Sequence, residues 1–126
     1  MCKSRFDARR LAVAVFCTTA TLILTHLPQE TIPFALRRSG LDKLEHALAY
    51  GVIMSLFLIA MRTSSTVLSA LRLFLVVAAI AALDELTQGL VSRTPSIADF
   101  AANILGMLLA LCFCTLWRCP LRRLSR

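Results

Sequence analysis

Residues 68–90 read LSALRLFLVVAAIAALDELTQGL, and the eleven from Leu73 to Leu83 carry no polar side chain. A helix turns once every 3.6 residues, so a run of this length points apolar groups in every direction around its axis. A helix in water keeps one polar face; this one has none to offer. As a helix the 23 residues rise about 35 Å, enough to cross a hydrocarbon layer of about 30 Å. A membrane strand would be about ten residues long and would alternate, and this run does neither.

Three further runs have the same character: Leu11 to Leu27, ended by Pro28; Leu44 to Met61; and Ala98 to Trp117. Four spans use about 80 residues, most of a chain of 126 that is 58% hydrophobic. Composition and pattern together predict an all-α integral membrane bundle of four transmembrane helices, a single domain over 1–126. Pro33 keeps the segment after the first span irregular. Ala102, Gly106 and Ala110 stand four apart on the last span, the spacing by which membrane helices approach closely. The first span belongs to the mature chain on this reading, because Thr25-His26-Leu27-Pro28 offers no small-x-small cleavage site and Phe16 precedes Cys17 where a lipoprotein signal needs a small residue.

The net charge of +7 reports topology. Lys3, Arg5, Arg9, Arg10, Arg62, Arg72, Arg118, Arg122, Arg123 and Arg126 fall on one side of the four spans; Arg37, Arg38, Lys43 and Arg93 fall on the other. Ten against four predicts an N-in/C-in chain with both termini cytoplasmic. The cations flank spans and lack interleaved stacking aromatics, Trp117 and Phe113 being the two near the basic tail, so nucleic acid is not an expected partner. Membrane lipids with anionic headgroups are. Of five cysteines, Cys2 and Cys119 fall on the inner side and Cys17, Cys112 and Cys114 within spans, which excludes a disulfide framework and reads as small apolar filling.

Polar residues at membrane depth are costly and therefore informative. Asp42, Lys43, Glu45, His46 and Tyr50 open the second span; Asp84, Glu85 and Gln88 close the third; Arg93 follows; Asp99 and Asn103 open the fourth; His26 closes the first. All lie toward one face of the membrane, the outer one if the N-terminus is inside. Asp42, His46 and Tyr50 share a helix face, as do Asp84 with Gln88 and Asp99 with Asn103. Such stripes cannot face lipid, so they predict a polar bowl between the helices. Structural roles compete with functional ones here. Asp42 and Asp99 sit where a carboxylate favours a helix N-terminus, and Ser96-x-x-Asp99 has capping-box spacing. Asp84 and Glu85 lie near a C-terminus, where the dipole disfavours them, and an ion pair with Arg93 is the expected remedy. His26 and the first span read as wall and anchor.

In this order Asp42-Lys43-x-x-His46-x-x-x-Tyr50, Asp84-Glu85-x-x-Gln88, Arg93, Asp99, Asn103 and Gly106 resemble the VanZ-like membrane proteins, a family named after a protein linked to teicoplanin resistance. The family often has another glycine where Ala110 stands. The resemblance covers about Pro28 to Ala110 and implies a multi-pass protein of the bacterial cytoplasmic membrane, working in the cell envelope, with antibiotic resistance as an extrapolation. It supplies no reaction.

The residues themselves suggest an outward site that binds or modifies a lipid-linked or cell-envelope substrate. His46, Asp84 and Glu85 are the candidate catalytic acid and base groups. Asp42, Lys43, Tyr50, Gln88, Arg93, Asp99 and Asn103 are the candidate substrate-binding groups, the two cations serving as phosphate anchors. Whether the chain is an enzyme stays open. No cofactor follows from the sequence, and no metal is assigned, since the spacing matches no standard zinc motif. The alternatives are a structural or partner-binding membrane subunit, and a small transporter or flippase, which from four helices requires a homo-oligomer. In a cysteine-free background, Ser92→Cys is expected to react with an impermeant thiol reagent from outside the cell; labelling from the cytoplasmic side alone overturns the orientation.

Overall fold

The computed structural model describes residues 7–27, 41–61, 66–91 and 93–124, the side chains at 115 and 117–124 excepted. Pro28, Pro33, Ser92 and the flanking cations Lys3, Arg5, Arg37, Arg38, Arg62 and Arg126 lie outside these residues, with Cys2. The side chains of Trp117, Arg118, Cys119, Arg122 and Arg123 lie outside them too.

The described chain is helical: α1 (Ala8–Thr25), α2 (Leu41–Ala60), α3 (Val67–Gln88) and α4 (Ile97–Leu124), with a 3-10 turn, Gly89–Val91, after α3. Each helix contains a stretch long and apolar enough to cross a membrane. All four helices start one to three residues before the apolar runs do; in α1 and α2 the added turn carries the polar Arg9, Arg10, Asp42 and Lys43. Asp7 caps α1 by accepting from the Arg10 amide, and Thr66 caps α3 by accepting from the Ser69 amide. The 28 residues of α4 rise about 42 Å, so the helix continues past a hydrocarbon layer of about 30 Å, beyond the expected stop at Trp117.

Contacts between the ends fix an up-down-up-down order. The Asp7 amide donates to the carbonyl of Ala60, and the Arg10 guanidinium to that of Ile59, so the start of α1 closes the end of α2. At the opposite end of the bundle, Thr25 of α1 meets Asp84 of α3, and Lys43 of α2 meets Asp99 of α4. Hence α1 runs parallel to α3, and α2 parallel to α4.

Helix α2 is the central element. A third of its span is buried, against 11–22% of the others, and its most extensive interface is with α4. The reason is a missing pair of side chains. A Cβ on Gly106 would overlap the Ala47 carbonyl, and a Cβ on Gly51 would stand 3.2 Å from the Gly106 oxygen. Glycine at both positions lets two backbones touch, which matters in lipid, where burying apolar surface gives no drive for association. Around this contact Tyr50, Ile53, Met54, Val77, Ala81 and Met107 form the core. Phe16, Leu86, Leu90 and Ile97 lie outward and exposed, a surface that hydrocarbon satisfies and water would not.

Hydroxyls within the spans find partners in their own helix. Thr18, Thr19 and Thr21 donate to the carbonyls of Ala14, Val15 and Cys17, and Ser55 to that of Gly51. No polar group of these side chains is left for lipid. Among the described cysteines Cys17, Cys112 and Cys114 no disulfide forms.

Gly106→Ala is expected to force α2 and α4 apart and cost about 1–3 kcal/mol, whereas Gly51→Ala, which meets a neighbour that needs to yield only a few tenths of an ångström, is expected to cost less. Thermal unfolding in detergent distinguishes the two; equal effects contradict the geometry.

Candidate functional site

At the end of the bundle where α1 and α3 finish and α2 and α4 begin, the polar stripes meet. Their spacing along each helix puts one residue per turn on the inner face, and the register set at Gly106 decides which residues pair. Lys43 Nζ lies 3.4 Å from Asp99 Oδ1, and one turn further in, His46 Nδ1 lies 3.2 Å from Asn103 Oδ1. A further turn along α2, the Tyr50 hydroxyl donates to Asp84 Oδ2 at 2.9 Å.

Asp84 is held on both oxygens. Thr25 donates to its Oδ1 at 2.7 Å, Tyr50 to its Oδ2, and His26 Nδ1 stands 3.4 Å from Oδ1. The side chain has no exposure. Arg93 is not its partner, contrary to the ion pair expected from the sequence. The guanidinium instead donates Nη1 to the Thr25 carbonyl at 2.8 Å and places Nη2 3.8 Å from Asp42 Oδ1. Neutral hydroxyls suffice for Asp84 because several converge, and Arg93 is drawn to a helix end whose carbonyl carries partial negative charge.

Glu85 is stabilised by backbone. Its Oε1 accepts the amide of Ser96, just ahead of α4. That amide is the one a Ser96-x-x-Asp99 capping box would give to Asp99. The Ser96 hydroxyl does accept the Asp99 amide at 3.3 Å, so half of the motif forms, while its reciprocal half is supplied by Glu85 from α3. Asp99 is thereby free to face Lys43.

The bowl expected from the sequence is largely closed. His46, Asp84, Glu85, Gln88, Asp99 and Asn103 are buried, and Asp42, Lys43 and His26 form a more exposed edge. Helix α1 belongs to the arrangement: beside Thr25, His26 bridges the Leu22 carbonyl (2.8 Å) and the Thr87 hydroxyl (2.9 Å). The sequence reading of α1 as wall and anchor does not include Thr25. Its signal was present, a hydroxyl and an imidazole at the end of an apolar run on the same side as the other polar groups. Glu45 is exposed and outside the network.

Within this layer four buried side-chain atoms have no hydrogen-bond partner: Glu85 Oε2, Gln88 Nε2, Asp99 Oδ1 and Asn103 Nδ2. The Lys43 ammonium near Asp99 Oδ1 is an ion-pair neighbour without hydrogen-bond alignment; Lys43 is half exposed, so the pair contributes on the order of 0–1 kcal/mol. His46 stands between an amide and a carboxylate: the Asn103 oxygen can only accept, so it takes the Nδ1–H, and Nε2 lies 3.9 Å from Asp42 Oδ1. Asp84, with both oxygens engaged, ties α1, α2 and α3 together. Asp42, His46 and Asp99 also each bring one potential ligand atom within 4.8 Å of the other two.

Tyr50→Phe removes one donor from a buried carboxylate and is expected to cost about 1–3 kcal/mol; Thr25→Val is expected to cost a similar amount. The two act on one group, so a double-mutant cycle read by thermal unfolding should show coupling, and strict additivity would contradict a shared clamp on Asp84.

No protein-family model, curated protein or solved structure matches this chain.

Proposed function

We propose that this chain is a VanZ-like multi-pass protein of the bacterial cytoplasmic membrane, both termini inside, whose polar end faces outward and binds the headgroup of a lipid-linked envelope precursor. The observation that carries the reading is the set of unpartnered atoms. Leaving a buried polar group unsatisfied costs about 1–3 kcal/mol, and a network that served only to fix helix packing would have no use for four of them at one end of the bundle. Two are acceptors, Glu85 Oε2 and Asp99 Oδ1; two are donors, Gln88 Nε2 and Asn103 Nδ2. That mixture suits the hydroxyls and amides of a saccharide or peptide headgroup, with Lys43 and Arg93 at the edge for its phosphate. If a reaction follows binding, His46 and Glu85 are the groups with a free basic atom.

The fully engaged Asp84 favours a second reading, a structural membrane subunit, for that one residue. Beneath the polar layer the core of Ile53, Met54, Val77, Ala81 and Met107 is apolar, which supports binding at one face over passage through the bundle.

Glu85→Gln separates the readings, since its amide oxygen still accepts the Ser96 amide. In nanodiscs containing a polyprenyl-pyrophosphate-linked saccharide, native mass spectrometry should show binding at least tenfold weaker in E85Q (about 1.4 kcal/mol), with thermal stability unchanged or raised. Absence of saturable binding by the unaltered protein, or equal binding by E85Q, overturns the proposal.

A further inference from the structure

The unpartnered acceptors belong to a layer rich in carboxylates. At this end of the bundle the described residues place four carboxylates in or against the polar layer, Asp42, Asp84, Glu85 and Asp99, and two cations, Lys43 and Arg93.

Three potential ligand atoms of two kinds converge within this layer. Asp42, His46 and Asp99 offer a carboxylate oxygen, an imidazole nitrogen and a second carboxylate oxygen within 4.8 Å of one another. Ligands sharing one ion at bonds of about 2.0–2.2 Å lie up to about 4.4 Å apart, so small side-chain rotations close the set. Two independent features lie beside this set, and Asp99 Oδ1 within it is itself buried without a hydrogen-bond partner. The Asn103 oxygen holds His46 Nδ1–H, the outer hydrogen bond that orients a metal-binding histidine and leaves Nε2 bare. Glu85, 5% exposed, has one oxygen fixed by Ser96 a turn before Asp99 and the other unpartnered, within electrostatic reach of His46 and Asp99.

We infer that Asp42, His46 and Asp99 form a binding site for one divalent transition-metal ion, with Glu85, outside that set, as an acceptor for an ion-bound water. One imidazole among carboxylates suits Mn²⁺ or Zn²⁺ better than Ca²⁺. Lys43, 3.4 Å from Asp99, competes with the ion for the same oxygen. This gives the site a signature that a merely structural cluster lacks: removing a cation should tighten the binding of another.

Chelator-treated full-length protein in detergent, titrated with Mn²⁺ and followed by the paramagnetic resonance signal of the free ion, should bind one ion per chain, displaceable by Zn²⁺. His46→Gln and Asp99→Asn should each weaken binding at least tenfold, and Lys43→Met should strengthen it. Mn²⁺ should also raise the melting temperature of the unaltered protein, a readout that does not depend on any variant folding. No saturable binding by protein of native helicity, unchanged affinity in H46Q, or weaker binding in K43M overturns the site. The titration contains no lipid-linked ligand, so its failure leaves the headgroup reading standing, and failure of headgroup binding leaves the ion site standing.

Discussion

Between α2 and α4 the Gly106 backbone lies against the Ala47 carbonyl with no space for a side-chain carbon. In a hydrocarbon solvent helices gain little by hiding apolar surface from one another, so such a contact, with its dispersion and its short range, settles which helices pair and in what register. The register then aligns Lys43 with Asp99 and His46 with Asn103. A slide of one turn along this interface would set Lys43 against a different residue of α4 and leave the imidazole without its amide. The polar chemistry of the bundle is therefore a consequence of where two glycines sit, one of them two turns from the membrane end at which the charges gather.

A second constraint acts on the acids at the end of α3. The dipole of that helix opposes negative charge there, yet neither Asp84 nor Glu85 relies on an arginine. Asp84 takes hydroxyls from α1 and α2, and Glu85 takes the first amide ahead of α4. Each acid thus ties α3 to neighbours it otherwise touches little, and the arginine is released to join the following turn to the end of α1.

The architecture was legible because it rests on composition. Runs such as Leu73–Leu83 admit one solvent and one secondary structure. The convergence of Asp42, His46, Tyr50, Asp84, Asp99 and Asn103 was also legible, since helical spacing fixes faces and polar faces avoid lipid. Pairing within the cluster was not. Arg93 was matched to the nearest acids in the sequence, but partner choice depends on helix order and register, which no local pattern encodes. Thr25 is not legible for a related reason: threonines are common in α1, and all four place their hydroxyls on carbonyls of their own helix. The one that also reaches across to α3 is marked by position alone. The capping motif before α4 was readable in half, its other half coming from a residue eleven positions earlier.

The clamp on Asp84 also has a direction in time. A chain made from its N-terminus delivers Thr25, His26 and Tyr50 to the membrane before Asp84 is synthesised, so this acid emerges toward donors already in place. Glu85 meets the reverse situation, because the Ser96 amide follows it and is fixed only when α4 begins. The two neighbouring acids of α3 thus draw on opposite directions of the chain, Asp84 on residues before it and Glu85 on one after it.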